Sequence, residues 1–567
     1  MGIFNDEAKY TIALRCATID RLCIPMLEQV KLSFLRDFYV KHVKSFMTIL
    51  ESKFSKFPEA AFDTQLQIKI CSFRIMSCLF LLMPKSELIS ATSAIVRAYI
   101  EQPTTGKELC QGLTKVARGA CTEDMRGETA LLETRRRYHC AAYNCLVSVI
   151  SSTQTDLKFY KGFLFAENIQ KGQFLFDNFV DKDKKYEFMT ELEVPFERKR
   201  KLKLIRKSAQ PLADGSAGQD AGKGRYLSSQ YLMETSLSQD LGQFDFNSPA
   251  EAYAPAKLTE RRLSDEKNEV EKVVLEHIEL DELNKHECMD TLLTLLKHMK
   301  DTGVYTVSDD VNEMPTWMTC LHTKMTASDT HINIKLFIAK VIVNVPLLFQ
   351  PFGKFWIPSL VEMVVRSEIP GEPLNYFVND IIVVVLSWSE VVIPEDTMVG
   401  RHLASSLLDF IVRYCYHKNS AVLKNNLHLV KTLTQVWKDR LEINYKLIYD
   451  HFSNTDKNTK NNVTGIQLLG IIIENGFQPF KSQSGLTENS FYQMLSDNLD
   501  FKYQAVYEAA AEVCGAALKC FKDHGHNNCG LFEMVNERLL DYSRSLKDRF
   551  VTCIYKIHLN YPSIVEK

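Results

Sequence analysis

Residues 403–437, LASSLLDFIVRYCYHKNSAVLKNNLHLVKTLTQVW, hold two apolar runs separated by one polar break. Leu403, Leu407, Phe410, Ile411 and Tyr414 recur every three or four residues in the first run. Leu423, Leu427, Val430, Leu433 and Trp437 do the same in the second. Side chains three and four apart lie above one another on a helix, so each run is one apolar helix face. His417-Lys418-Asn419-Ser420 is the turn between them, and Ser420 is placed to cap the second helix. Short turns between such helices favour antiparallel pairs.

The same texture extends in both directions. Val506, Ala509, Ala510, Val513, Ala517 and Cys520 repeat the spacing, as do Phe550, Cys553, Ile554 and Ile557. Far upstream, Tyr143, Val147 and Ile150 continue it after the basic run of Arg135, Arg136 and Arg137. Polar separators fall at 102–107, 123–128, 453–462 and 525–528, and no segment has the two-residue period of a strand. Many helices in series without a dominant central one predict an all-α, HEAT-like α-solenoid, an armadillo-type superhelix, in preference to a compact bundle. Its period is irregular.

One stretch breaks the pattern. Between Lys207 and Arg262 the chain reads SAQPLADGSAGQDAGKG and then NSPAEAYAPAKL, too poor in large aliphatics to offset the entropy of ordering it. The expected organisation is therefore a helical segment over 1–206, a long disordered insertion over 207–262 and a second helical segment over 263–567. Within the insertion stand Ser229-Gln230 and Ser238-Gln239, and just before it Arg198, Lys199, Arg200, Lys201, Lys203, Arg206 and Lys207 concentrate positive charge. Such a run suits a nuclear-localisation signal or a phosphate-binding patch as well as a solvated helix end. A phosphate on either serine would add roughly two negative charges beside it.

Composition bounds the remaining classes. With 46% hydrophobic and 24% charged residues in 567, the chain can bury a large core, and its formal charge of −2 provides no global attraction to nucleic acid. The 15 cysteines show no Cys-x-x-Cys spacing, as expected of free thiols in a reducing compartment. The apolar window Ile381 to Ile393 carries Glu390 and falls short of the roughly 20 residues a membrane span needs, so it is expected to be a buried helix and no membrane partner is expected. Glycine-rich phosphate loops, His-Arg-Asp, Asp-Phe-Gly, Walker A and Gly-x-Ser-x-Gly motifs are missing, so no catalytic residue and no cofactor are expected. The carboxylates spread through amphipathic helices are expected to face solvent. Cys520, His524, His526 and Cys529 supply metal-ligand types, but their spacing fits no standard zinc module and no metal is expected there.

RRRYHCAAYNCLVSVI (135–150), KFYKGFLF (158–165), EVPFERKRK (193–201), QFDF (243–246), IELDELNKHECM (278–289), LSW (386–388), GIQLLGI (465–471) and YEAAAEVCG (507–515) occur in this order. Together they resemble the DNA-dependent protein kinase catalytic subunit family of the PI3-kinase-related kinases. The resemblance implies its central circular-cradle region, the NUC194/CC3 domain, ahead of the kinase domain. It further implies a nuclear location extending to the nucleolus, with the remainder of the kinase chain, the Ku heterodimer and double-stranded DNA ends as partners. Its implied work is double-strand break repair by non-homologous end joining through phosphorylation of Ser/Thr-Gln sites. An autophosphorylation cluster near QFDF in this family gives Ser229 and Ser238 a role, although Gly242 stands before Gln243 where the family commonly has Ser. The other reading of such a stack is a free-standing HEAT-type adaptor that binds protein partners.

Overall fold

The computed structural model describes residues 1–55, 58–123, 131–168, 171–189, 282–303, 313–389, 391–482, 485–525 and 530–565. The sequence segments expected to be a disordered insertion and its basic flank, residues 198–262, lie outside these. Among the described residues the chain is helical, apart from one antiparallel pairing of β1 (Ala166–Asn168) with β2 (Gln173–Phe174).

Among the helices are, in chain order, α1 (Leu32–Glu51), α2 (Glu59–Leu82), α3 (Glu108–Thr122), α4 (Leu132–Thr153), α5 (Met289–Asp301), α6 (Thr316–Thr326) and α7 (Ile332–Asn344). They are followed by α8 (Tyr376–Ser387), α9 (Met398–Tyr414), α10 (Ser420–Val436), α11 (Tyr445–Asp450), α12 (Asn462–Glu474), α13 (Glu488–Asp497), α14 (Gln504–Asp523), α15 (Gly530–Ser545) and α16 (Lys547–Asn560).

The described residues form two compact units, one within Met1–Tyr186 and Ile278–Ser359, the other within 187–189 and Leu360–Lys567. These cut across the three sequence segments. The described residues between 282 and 359 join the N-terminal unit because α5 packs on α4 and α7 packs on α5 and α6.

In the first unit α4 lies between α2 and α3, and α2 also packs on α1. The Phe73 ring of α2 sits 5.8 Å from Tyr138 of α4, and Tyr39 of α1 donates its hydroxyl to the Ile75 carbonyl over 2.7 Å. The apolar length of α2 would suffice to cross a membrane, and here its Leu66, Phe73, Met76, Leu79 and Phe80 are buried in this packing. Lys69 is buried with them. Its ammonium donates to the Leu50 carbonyl at 2.9 Å and lies over the Phe54 ring, closing the C-terminal end of α1, where unpaired carbonyls favour a cation.

In the second unit the helices form two rows. One row runs α8, α10, α12, α14, α16, each touching the next; α9 touches α11 and α13 touches α15 in the other row, and successive helices α9–α10, α11–α12, α13–α14 and α15–α16 pair across the rows. That two-row stack is an α-solenoid, as the three-and-four spacing predicts. Two expectations are corrected. The helix within 381–393 ends at Ser387, and Val391 and Ile393 are exposed rather than buried. And α14 is buried nearly all round, Glu508 and Glu512 included, because it lies mid-row between α12 and α16.

Close approach in this row depends on glycine. A Cβ on Gly515 would lie 2.6 Å from the Ile557 carbonyl oxygen of α16. Gly515→Ala is expected to lower stability by about 1–3 kcal/mol, measured as a fall in the urea midpoint with unchanged slope.

Candidate functional site at the ends of residues 190–281

Two segments flank the undescribed residues 190–281, and α4 gathers both. Arg136 makes the central connection. Its guanidinium donates from Nε and Nη2 to Glu133 at 2.7 Å each, and from Nη1 and Nη2 to the two Glu287 oxygens at 2.9 and 2.8 Å. Nη1 also reaches the Phe179 carbonyl at 3.1 Å. A planar fork with five donors suits this double carboxylate embrace, which a lysine could not reproduce. One turn and two turns on, Cys140 and Asn144 continue the face, and Asn144 donates to the Glu287 carbonyl at 2.7 Å.

His286 completes the junction. Its Nδ1 accepts the Cys288 backbone N–H at 3.1 Å, so Nε2 carries the proton and donates to the Phe179 carbonyl at 3.1 Å. The ring is buried against Phe337 with centroids 4.7 Å apart, and burial is the main cause lowering its pKa, keeping it neutral. Farther out, Asn333 of α7 donates to the carbonyls of Asp181 and Lys184 at 2.8 Å each, Lys184 pairs with Glu282 at 3.1 Å, and Asn344 donates to Asn284 at 2.8 Å.

The donor atoms of Cys140, His286 and Glu287 lie within 4.8 Å of one another, a grouping that invites a metal reading. The cation among them is Arg136, whose Nη1 lies 3.5 Å from Cys140 Sγ, and both nitrogens of His286 are already engaged. The cluster is an ionic latch.

Electrostatics give the latch a pH signature. Burial pushes the Glu287 carboxyl up, but hydrogen bonds and charge from Arg136 outweigh it and hold the group at about 2. The folded value lies below the unfolded value of about 4.3, so the contribution is complete above that pH and is lost as pH falls toward about 2. Glu287 keeps 40% of its side-chain surface exposed, and solvent screening reduces the contribution to about 1–2 kcal/mol. Arg136→Met is expected to remove it at neutral pH and flatten the fall in stability between about pH 4.3 and 2. Urea unfolding of both chains across that range measures this, and an unchanged acid slope contradicts it.

The residues singled out from the sequence fall elsewhere. Ser229, Ser238, Arg198, Lys199, Arg200, Lys201, Lys203, Arg206 and Lys207 lie outside the described residues, as do His526 and Cys529. Cys520 and His524 are described, with Cys520 Sγ 3.6 Å from Nδ1 of His524, which also meets the Cys520 carbonyl at 2.7 Å as the end of α14 closes. Sequence reasoning missed Arg136 and Glu287 as partners, because 151 residues separate them and neither belongs to a short motif.

Comparison with known proteins follows the same two-part division of the chain only loosely. Residues 15–394 match the family described as DNA-dependent protein kinase catalytic subunit, CC3, and residues 405–567 match DNA-PKcs, CC5. The curated catalytic subunit of Canis lupus familiaris is 37% identical over 579 residues, covering 100% of this chain and 14% of that protein. That of Gallus gallus is 36% identical over 583 residues, and that of Dictyostelium discoideum is 28% identical over 602, covering 100% and 99% of this chain and 14% and 13% of those proteins. The chain thus spans about 14% of the length of the first of these relatives. A solved circular tandem repeat protein aligns with 98% of this chain and 97% of its own at 11% identity, but a TM-score of 0.24 gives it no weight. With a family match over residues 15–394 and a second over 405–567, the chain belongs to the DNA-dependent protein kinase catalytic subunit family, as a segment covering CC3 and CC5 and not the kinase domain.

Proposed function

We propose that this chain is a scaffold and regulatory segment of a DNA-dependent Ser/Thr protein kinase that acts in DNA double-strand break repair by non-homologous end joining. The observation that carries the reading is the match to the catalytic subunit along the whole chain. The two-row helical stack of the second unit supports a wall-like role, since such stacks present long surfaces and do not need a catalytic cleft. In this reading the partners are the remainder of the kinase chain, the Ku heterodimer and DNA ends, and the place of action is the nucleus, with the nucleolus included.

Regulation is assigned to residues 207–262, where phosphate on Ser229 or Ser238 sets negative charge beside the basic run from Arg198 to Lys207. The latch built on Arg136 supports this assignment by holding the segments on either side, so a change of charge between them acts against a fixed base. Phosphopeptide mapping of 207–262 after DNA breaks, with and without an inhibitor of the DNA-dependent kinase, tests it. Inhibitor-sensitive phosphate on Ser229 or Ser238 is expected; its clean absence removes the regulatory part and leaves the scaffold.

A further inference from the structure

Helix Ile12–Thr18 and its π-helical continuation Ile19–Cys23 both pack on α2, and two contacts fix how they align with it. Cys16 Sγ lies 4.0 Å from the Gln67 carbonyl oxygen and 3.9 Å from Gln67 Oε1. Asp20, one turn beyond Cys16, pairs with Arg74. Gln67, Cys71 and Arg74 share one face of α2, being four and three residues apart. Cys71 therefore lies between the two contacts, on the face of α2 that Cys16 meets. Cys71 is buried, whereas Cys16 keeps partial access to solvent.

The two sulfurs are unequal. The neighbouring Cys71 thiol is the largest influence on Cys16 and lowers its pKa, with Arg15 and Arg137 adding to it against burial and the Asp20 charge. The Cys71 thiol is pushed up by Cys16 and by burial. Seven residues along each helix, Cys23 and Cys78 repeat the alignment without this polarity, since burial raises both of their pKa values.

We propose that Cys16 and Cys71 form a peroxide-reactive dithiol, with Cys16 the attacking sulfur, Cys71 the resolving sulfur and a hydroperoxide the co-reactant. The Cys16 thiolate attacks the peroxide O–O bond, forming a sulfenic acid and releasing the other oxygen as water or an alcohol after it takes a proton. Cys71 sulfur then attacks the Cys16 sulfur, the S–S bond forms, and hydroxide leaves with the Cys71 proton as water. Two electrons pass from the sulfurs to the peroxide. A dithiol reductant reverses the bond by exchange.

The test uses the intact chain and a few equivalents of hydrogen peroxide, followed by alkylation, tryptic digestion without reductant and mass spectrometry. Cleavage after Arg15, Arg21, Lys69 and Arg74 isolates CATIDR (16–21) and ICSFR (70–74), so a Cys16–Cys71 bond is distinct from any bond made by Cys23 or Cys78. The expected product is the CATIDR–ICSFR conjugate, lost on adding dithiothreitol. Cys71→Ser is expected to leave Cys16 as a sulfenic acid that dimedone traps, and Cys16→Ser to leave Cys71 reduced. Absence of the conjugate in the folded wild-type chain, or labelling of Cys16 no faster than Cys23, overturns the proposal.

Discussion

Glu512→Ala is expected to destabilise the second unit by about 3–5 kcal/mol. Glu512 keeps 1% of its side-chain surface exposed and Lys556 keeps 10%, and Lys556 Nζ donates to Glu512 Oε2 at 3.4 Å. Removing the carboxylate takes this partner from an ammonium buried between α14 and α16. Desolvation of a buried charge that loses a partner exceeds what the pair itself contributes, so the single change costs more than losing both groups together. The double change Glu512→Met with Lys556→Met is therefore expected to recover most of the loss. Urea unfolding of the three chains decides it. A single change that costs under about 0.5 kcal/mol would show that solvent reaches Lys556 in the native stack.

Trp437→Ala follows at about 3–5 kcal/mol. The indole lies at the end of α10, 1% exposed, with its N–H buried and without a hydrogen-bond partner. Its stabilising contribution is thus packing alone, and the loss is transfer free energy plus the cavity left behind. Trp437→Phe keeps an aromatic ring and no orphaned N–H, so it is expected to cost far less than alanine. An alanine variant with the wild-type melting temperature would mean that the neighbouring helices close over the gap.

Local periodicity carried the helices. The stripes at Leu407 to Tyr414 and Leu427 to Trp437 were legible because the forces that make a helix one-faced act within four residues of chain. The stripe at Val506 to Cys520 was legible as a helix, yet its surroundings were not. Glu508 and Glu512 read as solvent-facing carboxylates on an amphipathic helix, and the structure buries them because α12 and α16 cover both sides of α14. A row position is a property of neighbours, and no residue of α14 encodes it alone.

The candidate site shows the same divide more sharply. The basic run 135–137 and the block containing His286 and Glu287 were both visible, but only folding brings Arg136 onto Glu287 and aims both Arg136 and His286 at the Phe179 carbonyl. Cys16 and Cys71 likewise counted as two scattered thiols until α2 aligned them.

By itself the sequence determined that this chain is helical, that its helices stack in series, that it lacks the motifs of phosphoryl transfer, and which family its ordered blocks resemble. Each of these depends on residues close together in the chain or on their order along it. Tertiary structure alone decided which charges are buried, where α4 joins the two ends of residues 190–281, and which cysteines face each other. Those depend on contacts between residues tens to hundreds of positions apart, whose pairing is set by how whole helices pack and by the burial that packing imposes.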